Sequence, residues 1–578
     1  MLRLAKPSDI WFKPASSVVV ATAIPNLTLL ALGRLDLVMY TMAGSFCALY
    51  AHNLPYAARA RALAGVVAGM LASVGIAMVT ASLTSSPAVL VAVGALLAAA
   101  QKTLCDATRT GPPGHLIFTF ISSATLFAPQ HLGQVPGHLA LTLAAGAVAW
   151  LVGMAPALLR PHGPERRATA RALHAAAAYA EAAGPGRSAG PGRSAVPGRS
   201  AGPGRSAVPG RSAGPGSSAG PARERARAAA AAAIHAAWQS LLVTGAPTRP
   251  RRALELLVIQ AEEALAAPSA ADPARLRSWA TGLRGTGAVP HPDHVQPEAE
   301  AELHGPEAEL AAAESAKSPL WRRLAPGSPL LPIALRTAIG CALAGYASLA
   351  LGIGRPYWAL VTAASLYQAN VTLTWNRGVQ RVVGNLIGVL AFAAIVPVAH
   401  LGHAALIVCC LALAFGAEAL ITRNYWLGSV CVTPMALLVT EFVRFQEPGG
   451  LILDRIVDTL VGALLGVVAA IVVTNRRAAD HIELAIDATD RARAHAERTL
   501  AAPSPTPGAL RQDRRRLTAA LVELRMADDA AAGEWWQRAL PRQRVLVAEQ
   551  AGHRTLAAAS SAVRGTGSGA ESVGAGRP

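Results

Sequence analysis

Charge and aromatic rings are both scarce in this chain: 15% of its 578 residues are Asp, Glu, Lys or Arg, and 5% are Phe, Trp or Tyr. With 52% hydrophobic residues and a mean hydropathy of +0.36, that shortage of charge excludes an ordinary soluble domain of this length. The shortage of rings, with no basic stripe interleaved with stacking aromatics, argues against nucleic acid as the partner of a +18 chain. Cysteine is limited to Cys47, Cys105, Cys341, Cys409, Cys410 and Cys431, all in or beside apolar runs. No C-x-x-C and no His/Cys cluster at zinc spacing is present, so these read as packing residues and no metal or cofactor is expected. His400 with His403, and His291 with His294, lack carboxylate or thiol company and read as loop histidines. There is no Walker lysine loop, no H-E-x-x-H and no G-x-S-x-G elbow, which argues against an embedded enzyme and against an ATP-driven pump within this chain.

What the sequence has in abundance is apolar runs. Six lie at 16–33, 35–52, 62–82, 87–101, 115–129 and 137–159, and six more at 330–351, 357–374, 382–399, 404–422, 425–443 and 456–474. Several are near the lower limit of the roughly 17 to 25 residues a helical span needs. The expected fold is all-α and polytopic: a transmembrane block at 1–160, a cytoplasmic linker at 161–318, a second transmembrane block at 319–475 and a cytoplasmic helical tail at 476–578 with a disordered end. Basic residues support a cytoplasmic N-terminus. Lys6, Arg59, Arg61, Lys102, Arg160, Arg377, Arg381, Arg423 and Arg476 then all fall in inside segments, and only the hairpin with Arg444 and Arg455 breaks the rule. The first run follows basic residues, as a signal peptide would, but further spans follow at once, so an uncleaved first span is expected. Within the linker a six-residue Gly/Pro/Arg/Ser unit recurs over 184–221, a composition that builds no core and reads as a flexible spacer.

The chemistry-bearing residues concentrate in the second block. Arg377 and Arg381 are one helical turn apart, and Gly384, Asn385 and Gly388 continue their stripe. "DRIVDTLVGALLG" repeats the offsets, with Gly462 and Gly466 seven and eleven residues after Arg455, and "RARALAGVVAG" is a looser copy at Arg59, Gly65 and Gly69. Arginines at loop ends serve topology and G-x-x-x-G serves helix packing, so each copy also has a plain structural reading. Ionisable groups at membrane depth cost about 2.5 kcal/mol or more and tend to face a partner or a wet cavity. Arg336, Glu418, Arg455 and Asp458 are such groups, and Asp458 lies one turn from Arg455, close enough in sequence to neutralise it.

The run "RTAIGCALAGYASLALGIGRPYWALVTAASLYQANVTLTWNRGVQRVVGNLIGVL", with "TRNYWLGSVCVTPMALLV" and "DRIVDTLVGALLG", resembles the fusaric acid resistance family, the aromatic acid exporters, which are related remotely to plant aluminium-activated malate transporters. The resemblance covers about 325–475; the first block is similar only in outline, and the 184–221 spacer departs from the pattern. It implies a twelve-helix protein of the inner (plasma) membrane that moves small organic anions outward. On that expectation Arg377 and Arg381 form a cationic vestibule and Arg336 and Arg455 hold a carboxylate deeper. Tyr357 and Trp358 face an aromatic ring or anchor the interface, and Gln368, Asn370 and Asn385 supply neutral hydrogen bonds. Glu418 and Asp458 are the candidates for proton coupling. A passive anion channel would share the arginine stripe, a scaffold acting through the cytoplasmic helices is a third reading, and the glycine seams permit a homodimer.

Overall fold

In the computed structural model, residues 11–108, 110–183, 219–242, 248–285, 287–290, 330–368, 371–443, 445–473, 478–503, 505–531 and 541–569 are described. Asn370 and the repeat over 184–218 lie outside them. The described residues are helical throughout and fall into two compact units.

The first unit holds both apolar blocks. In chain order it contains α1 (Phe12–Ala31), α2 (Val38–Ser45), α3 (Tyr56–Leu83), α4 (Pro87–Thr108), α5 (Leu116–Leu126), α6 (Val135–Met154) and the one-turn α7 (Pro156–Leu159). The second unit takes residues 162–315, with α8 (Gly163–Ala183), α9 (Ala219–Leu242), α10 (Arg249–Ala266) and α11 (Pro273–Gly282). The first unit resumes with α12 (Leu330–Ala350), α13 (Pro356–Ala364), α14 (Val371–Ala399), α15 (His403–Ile421), α16 (Tyr425–Val439) and α17 (Pro448–Val472). After these come α18 (Ala478–Leu500), α19 (Pro507–Ala531) and α20 (Arg542–Gly569), which runs past the start of the expected disordered end. The second unit thereby gathers residues 485–525 and 542–578 with the linker helices, around a core that includes Leu173, Trp238 and Leu257. Two buried arginines there are paired with acids: Arg251 with Glu255 at 3.2 Å, and Arg514 with Glu262, which also accepts from the Trp238 indole.

Among the described residues, eight helices are long and apolar enough to cross a membrane: α1, α3, α4, α6, α12, α14, α15 and α17. The remaining four runs form shorter or interrupted helices. The run at 35–52 breaks into two 3₁₀ turns flanking α2, and the run at 357–374 stops at Ala364. Its chain then turns through buried Ser365, Leu366 and Tyr367 before α14 begins. Hydropathy averaged over the run hides that break, because Leu366 and the apolar residues on either side outweigh Ser365 and Gln368. Irregular backbone at membrane depth is tolerated only where protein covers it, and here His115 of the first block reaches the Ala364 carbonyl with Nε2 at 3.1 Å, satisfying one of the carbonyls the broken helix leaves open.

Each block reads long, short, long, long, short, long, and the two pack reciprocally: α1 lies against α15, and α12 lies against α4. Large apolar side chains remain exposed on the outside, including Leu83, Leu151, Leu390, Leu464 and Val408, the surface a bilayer would cover. Inside, glycine sets the distance. A Cβ on Gly384 would stand 2.6 Å from the Trp426 carbonyl of α16, and one on Gly462 would stand 2.4 Å from the Ala359 carbonyl of α13. Of the third G-x-x-x-G, Gly65 meets nothing within 4 Å, so that copy is not a seam. Gly462→Val is expected to cost about 1–3 kcal/mol by overpacking, read as a lower thermal midpoint in detergent, whereas Gly449→Ala, which meets nothing within 4 Å, leaves the midpoint unchanged or slightly higher.

Candidate functional site

The site follows from how α14 and α17 lie together. Gly378 faces Val467 while Asn385 bonds Arg455, so the two helices run antiparallel and the start of α14 lies by the end of α17. Arg377 and Arg381 enter from that end, and Arg455, the eighth residue of α17, enters from the other. The glycine contacts hold the helices close enough for their long side chains to lie along the seam instead of pointing to lipid.

A continuous line of polar and aromatic groups results. The Arg377 guanidinium sits 3.2 Å from the centre of the Tyr425 ring, and Arg381 Nη1 donates to the Tyr425 hydroxyl at 3.1 Å. One turn on, Asn385 Nδ2 donates to the Arg381 carbonyl at 2.9 Å, and Asn385 Oδ1 accepts from Thr433 Oγ1 at 2.5 Å and from Arg455 Nη2 at 3.0 Å. Arg455 then lies 5.3 Å from the Trp358 ring, whose other cation is Arg355 at 5.1 Å. Arg355 donates to Gln446, approaches Asp454 at 3.7 Å, and lines a cavity of about 320 Å³ with Phe445, Gln446, Glu447, Gly450, Leu451 and Asp454. From Arg377 to this cavity the line runs the length of the second block.

Its electrostatics are lopsided. Among the described residues no carboxylate lies within ion-pair distance of Arg377, Arg381 or Arg455, although Arg455 is 1% exposed and Arg381 7%. Buried N–H groups are left without an acceptor on all three: Nε of Arg377, Nε of Arg381, and Nε and Nη1 of Arg455. The expected neutralisation by Asp458 is not what the side chains do. Asp458 Oδ1 accepts from Ser348 at 2.6 Å on α12, and Oδ2 has no partner. A buried charge unpaired in this way costs several kcal/mol, and an anion lodged in the line would offer acceptors to the waiting donors.

The remaining expected residues fall in different places. Arg336 is buried but bonds through Nε to the Val473 carbonyl at the end of α17, where a cation also meets the negative end of a helix. That bond makes it a cap on α17. Tyr357 and Trp358 are both buried, Tyr357 stacked at 5.8 Å on Phe127 of the first block, so neither is an interface anchor. Gln368 bonds its own turn, through Tyr367 O and Thr374 Oγ1. Glu418 on α15 makes no hydrogen bond or ion pair to the line. Arg355, Tyr425 and Thr433 join the site without having been singled out. The signal for Tyr425 was in "RNYW", whereas Arg355 read as an ordinary loop charge.

Comparison with known proteins places this geometry. Residues 341–469, which contain every member of the line, match the family model described as fusaric acid resistance protein-like. The chain is also 30% identical over 211 residues to the uncharacterized membrane protein YvaC of Bacillus subtilis (strain 168), a match covering 36% of this chain and 32% of that protein. The matched part thus spans about a third of that relative's length. No solved structure matches the chain. The chain is an all-helical, multi-pass membrane protein, and within its second apolar block residues 341–469 are similar to the fusaric acid resistance protein-like family.

Proposed function

We propose that the protein is a plasma-membrane transporter that exports aromatic carboxylic acids or related small organic anions. The observation that supports this most is the row of three guanidinium groups, Arg381 and Arg455 buried and Arg377 half-buried, each with an unsatisfied N–H and none within ion-pair distance of a carboxylate among the described residues. A purely structural role would be served by pairing them, as the second unit does with Arg251 and Arg514. On the basic-residue topology the α14 start faces the cytoplasm. A carboxylate then enters at Arg377 and Arg381, exchanging water for charge-assisted bonds. Tyr425 holds both guanidinium groups by its ring face and hydroxyl, leaving their remaining N–H donors for the cargo. Arg455 takes the anion next, held in place by Asn385, and Trp358 carries it past to Arg355 and the cavity at the opposite end. Ring faces beside each cation favour a flat, apolar body on the carboxylate.

Outward movement against a gradient needs an energy source, and proton coupling through Asp458 or Glu418 belongs to this reading. A passive anion channel would use the same line, and flux against a gradient separates the two.

Inside-out vesicles should take up labelled benzoate, and Arg377→Ala or Arg381→Ala should lower the rate at least about tenfold with unchanged insertion, the loss of roughly 1.4 kcal/mol or more of binding. Uptake that survives both changes would remove the mechanism. Stability should move the opposite way at Arg455. Because an unpaired buried charge is costly to keep, Arg455→Met is expected to leave the thermal midpoint unchanged or raise it, while Asn385→Leu, which strips Arg455 of its acceptor, lowers it by about 1–3 kcal/mol.

A further inference from the structure

A second buried acid stands apart from the line. Glu441, in the turn after α16, is 0% exposed. Its Oε2 accepts from Nε2 of His400 at 2.9 Å, and its Oε1 is buried with no partner. His400 follows the last residue of α14 and is the pair's way to solvent, with 29% of its side chain exposed under the Phe445 ring at 4.7 Å. Burial pushes the Glu441 carboxyl above its usual range, against the opposing pull of His400. A carboxylate with one oxygen on an imidazole and the other on nothing can hold a proton but is costly without one.

The groups around the pair connect it to the end of the arginine line. Gln446 Nε2 donates to the carbonyl of Thr440, the neighbour of Glu441, at 2.9 Å, and Gln446 Oε1 accepts from Arg355. The other titratable groups facing this region are His403 of α15 beneath Phe445, the Cys410 thiol of the same helix, and Asp454 and Glu447 beside the cavity. No lysine or arginine is paired with Glu441 among the described residues.

Resting on the export reading, we propose that His400 and Glu441 form the proton-binding site of the transporter and that its occupancy sets the position of Arg355. A proton from the outer solvent binds the free imidazole, and passes from Nε2 to Oε2 of Glu441, leaving a neutral acid and a neutral imidazole. Loss of the proton leaves a bare carboxylate whose Oε1 recruits a donor by moving the backbone at Thr440 and Glu441, and Gln446 carries that movement to Arg355. Inward proton movement is thereby tied to the state of the exit.

The test uses the full chain purified into liposomes with labelled benzoate as probe, in two modes: counterflow at equal pH, and accumulation driven by a pH gradient. Wild type is expected to show both. Glu441→Gln should keep counterflow within about twofold while gradient-driven accumulation falls at least about tenfold, the loss of a driving force and not of a binding site. A readout that needs no transport is the ¹⁵N-histidine spectrum, where the signal lost in His400→Gln marks His400. Its ¹⁵N shifts should move in Glu441→Gln, because the carboxylate that holds the Nε2 proton is replaced by an amide. Undiminished gradient-driven accumulation in Glu441→Gln, its loss in Asp458→Asn alone, or unmoved His400 ¹⁵N shifts would each overturn the proposal. Absence of wild-type counterflow would instead bring down the export reading and the coupling built on it, so the two failures are distinguishable.

Discussion

Three guanidinium groups, two buried and one half-buried in an apolar bundle with no carboxylate at ion-pair distance among the described residues, are the constraint around which the second block is built. A lipid-facing fold has an inexpensive way to satisfy an arginine, which is to let it snorkel to the headgroups. Arg381 and Arg455 are held away from that route. Asn385 donates to the Arg381 carbonyl and accepts from the Arg455 guanidinium, so a single amide ties the buried charge of α17 to the backbone of α14. Tyr425 does the same for Arg377 and Arg381, through its ring and its hydroxyl. None of these partners is charged. They position the cations and leave their charge uncompensated, the opposite of the treatment given to Arg251 and Arg514 in the second unit.

The helix packing serves the same end. Gly384 and Gly388 let α14 approach the backbone of α16, and Gly462 and Gly466 let α17 approach α13. Those contacts place Thr433 against Asn385 and Trp358 against Arg455. Breaking α13 after nine residues supplies the rest. Its start presents Arg355, Tyr357 and Trp358 at one end of the block, and its buried turn leaves room for α14 to begin beside α16. Interrupted helices are tolerated in membranes where protein or a cavity covers them, and they are common where transporters hold their cargo.

Much of this was legible in the sequence, for identifiable reasons. The i, i+4 spacing of Arg377, Arg381 and Asn385 fixes one helix face whatever the tertiary fold, and G-x-x-x-G beside it signals a close neighbour. What spacing cannot give is the partner across the seam. Asp458 is one turn from Arg455 and looks like its counter-ion, yet rotamer and packing turn it to Ser348. Arg336 has the same intramembrane address as Arg455 but meets the end of α17. Gly65 carries the same motif as Gly384 and faces open space. The stop at Ala364 is marked only by Ser365 and Gln368, polar residues that a membrane helix can also carry.

The two blocks share an order of long and short helices and pack on each other reciprocally, but they treat their polar residues differently. In the first block Arg59, near the start of α3 as Arg377 is near the start of α14, donates to Nδ1 of His52, which makes the Nε2 of that ring the donor to the Ala48 carbonyl at 2.8 Å. Its other buried polar cluster, Gln101 with Thr119 and Ser122, is neutral and closes on itself through bonds of 2.8 and 3.0 Å. Nothing in that cluster calls for an anion. The row of Arg377, Arg381 and Arg455 thus belongs to the second block, and the first block reaches across to support it, with His115 holding the broken end of α13 and Phe127 backing Tyr357. Such a division lets the supporting contacts be made by neutral groups while the second block keeps its electrostatic imbalance.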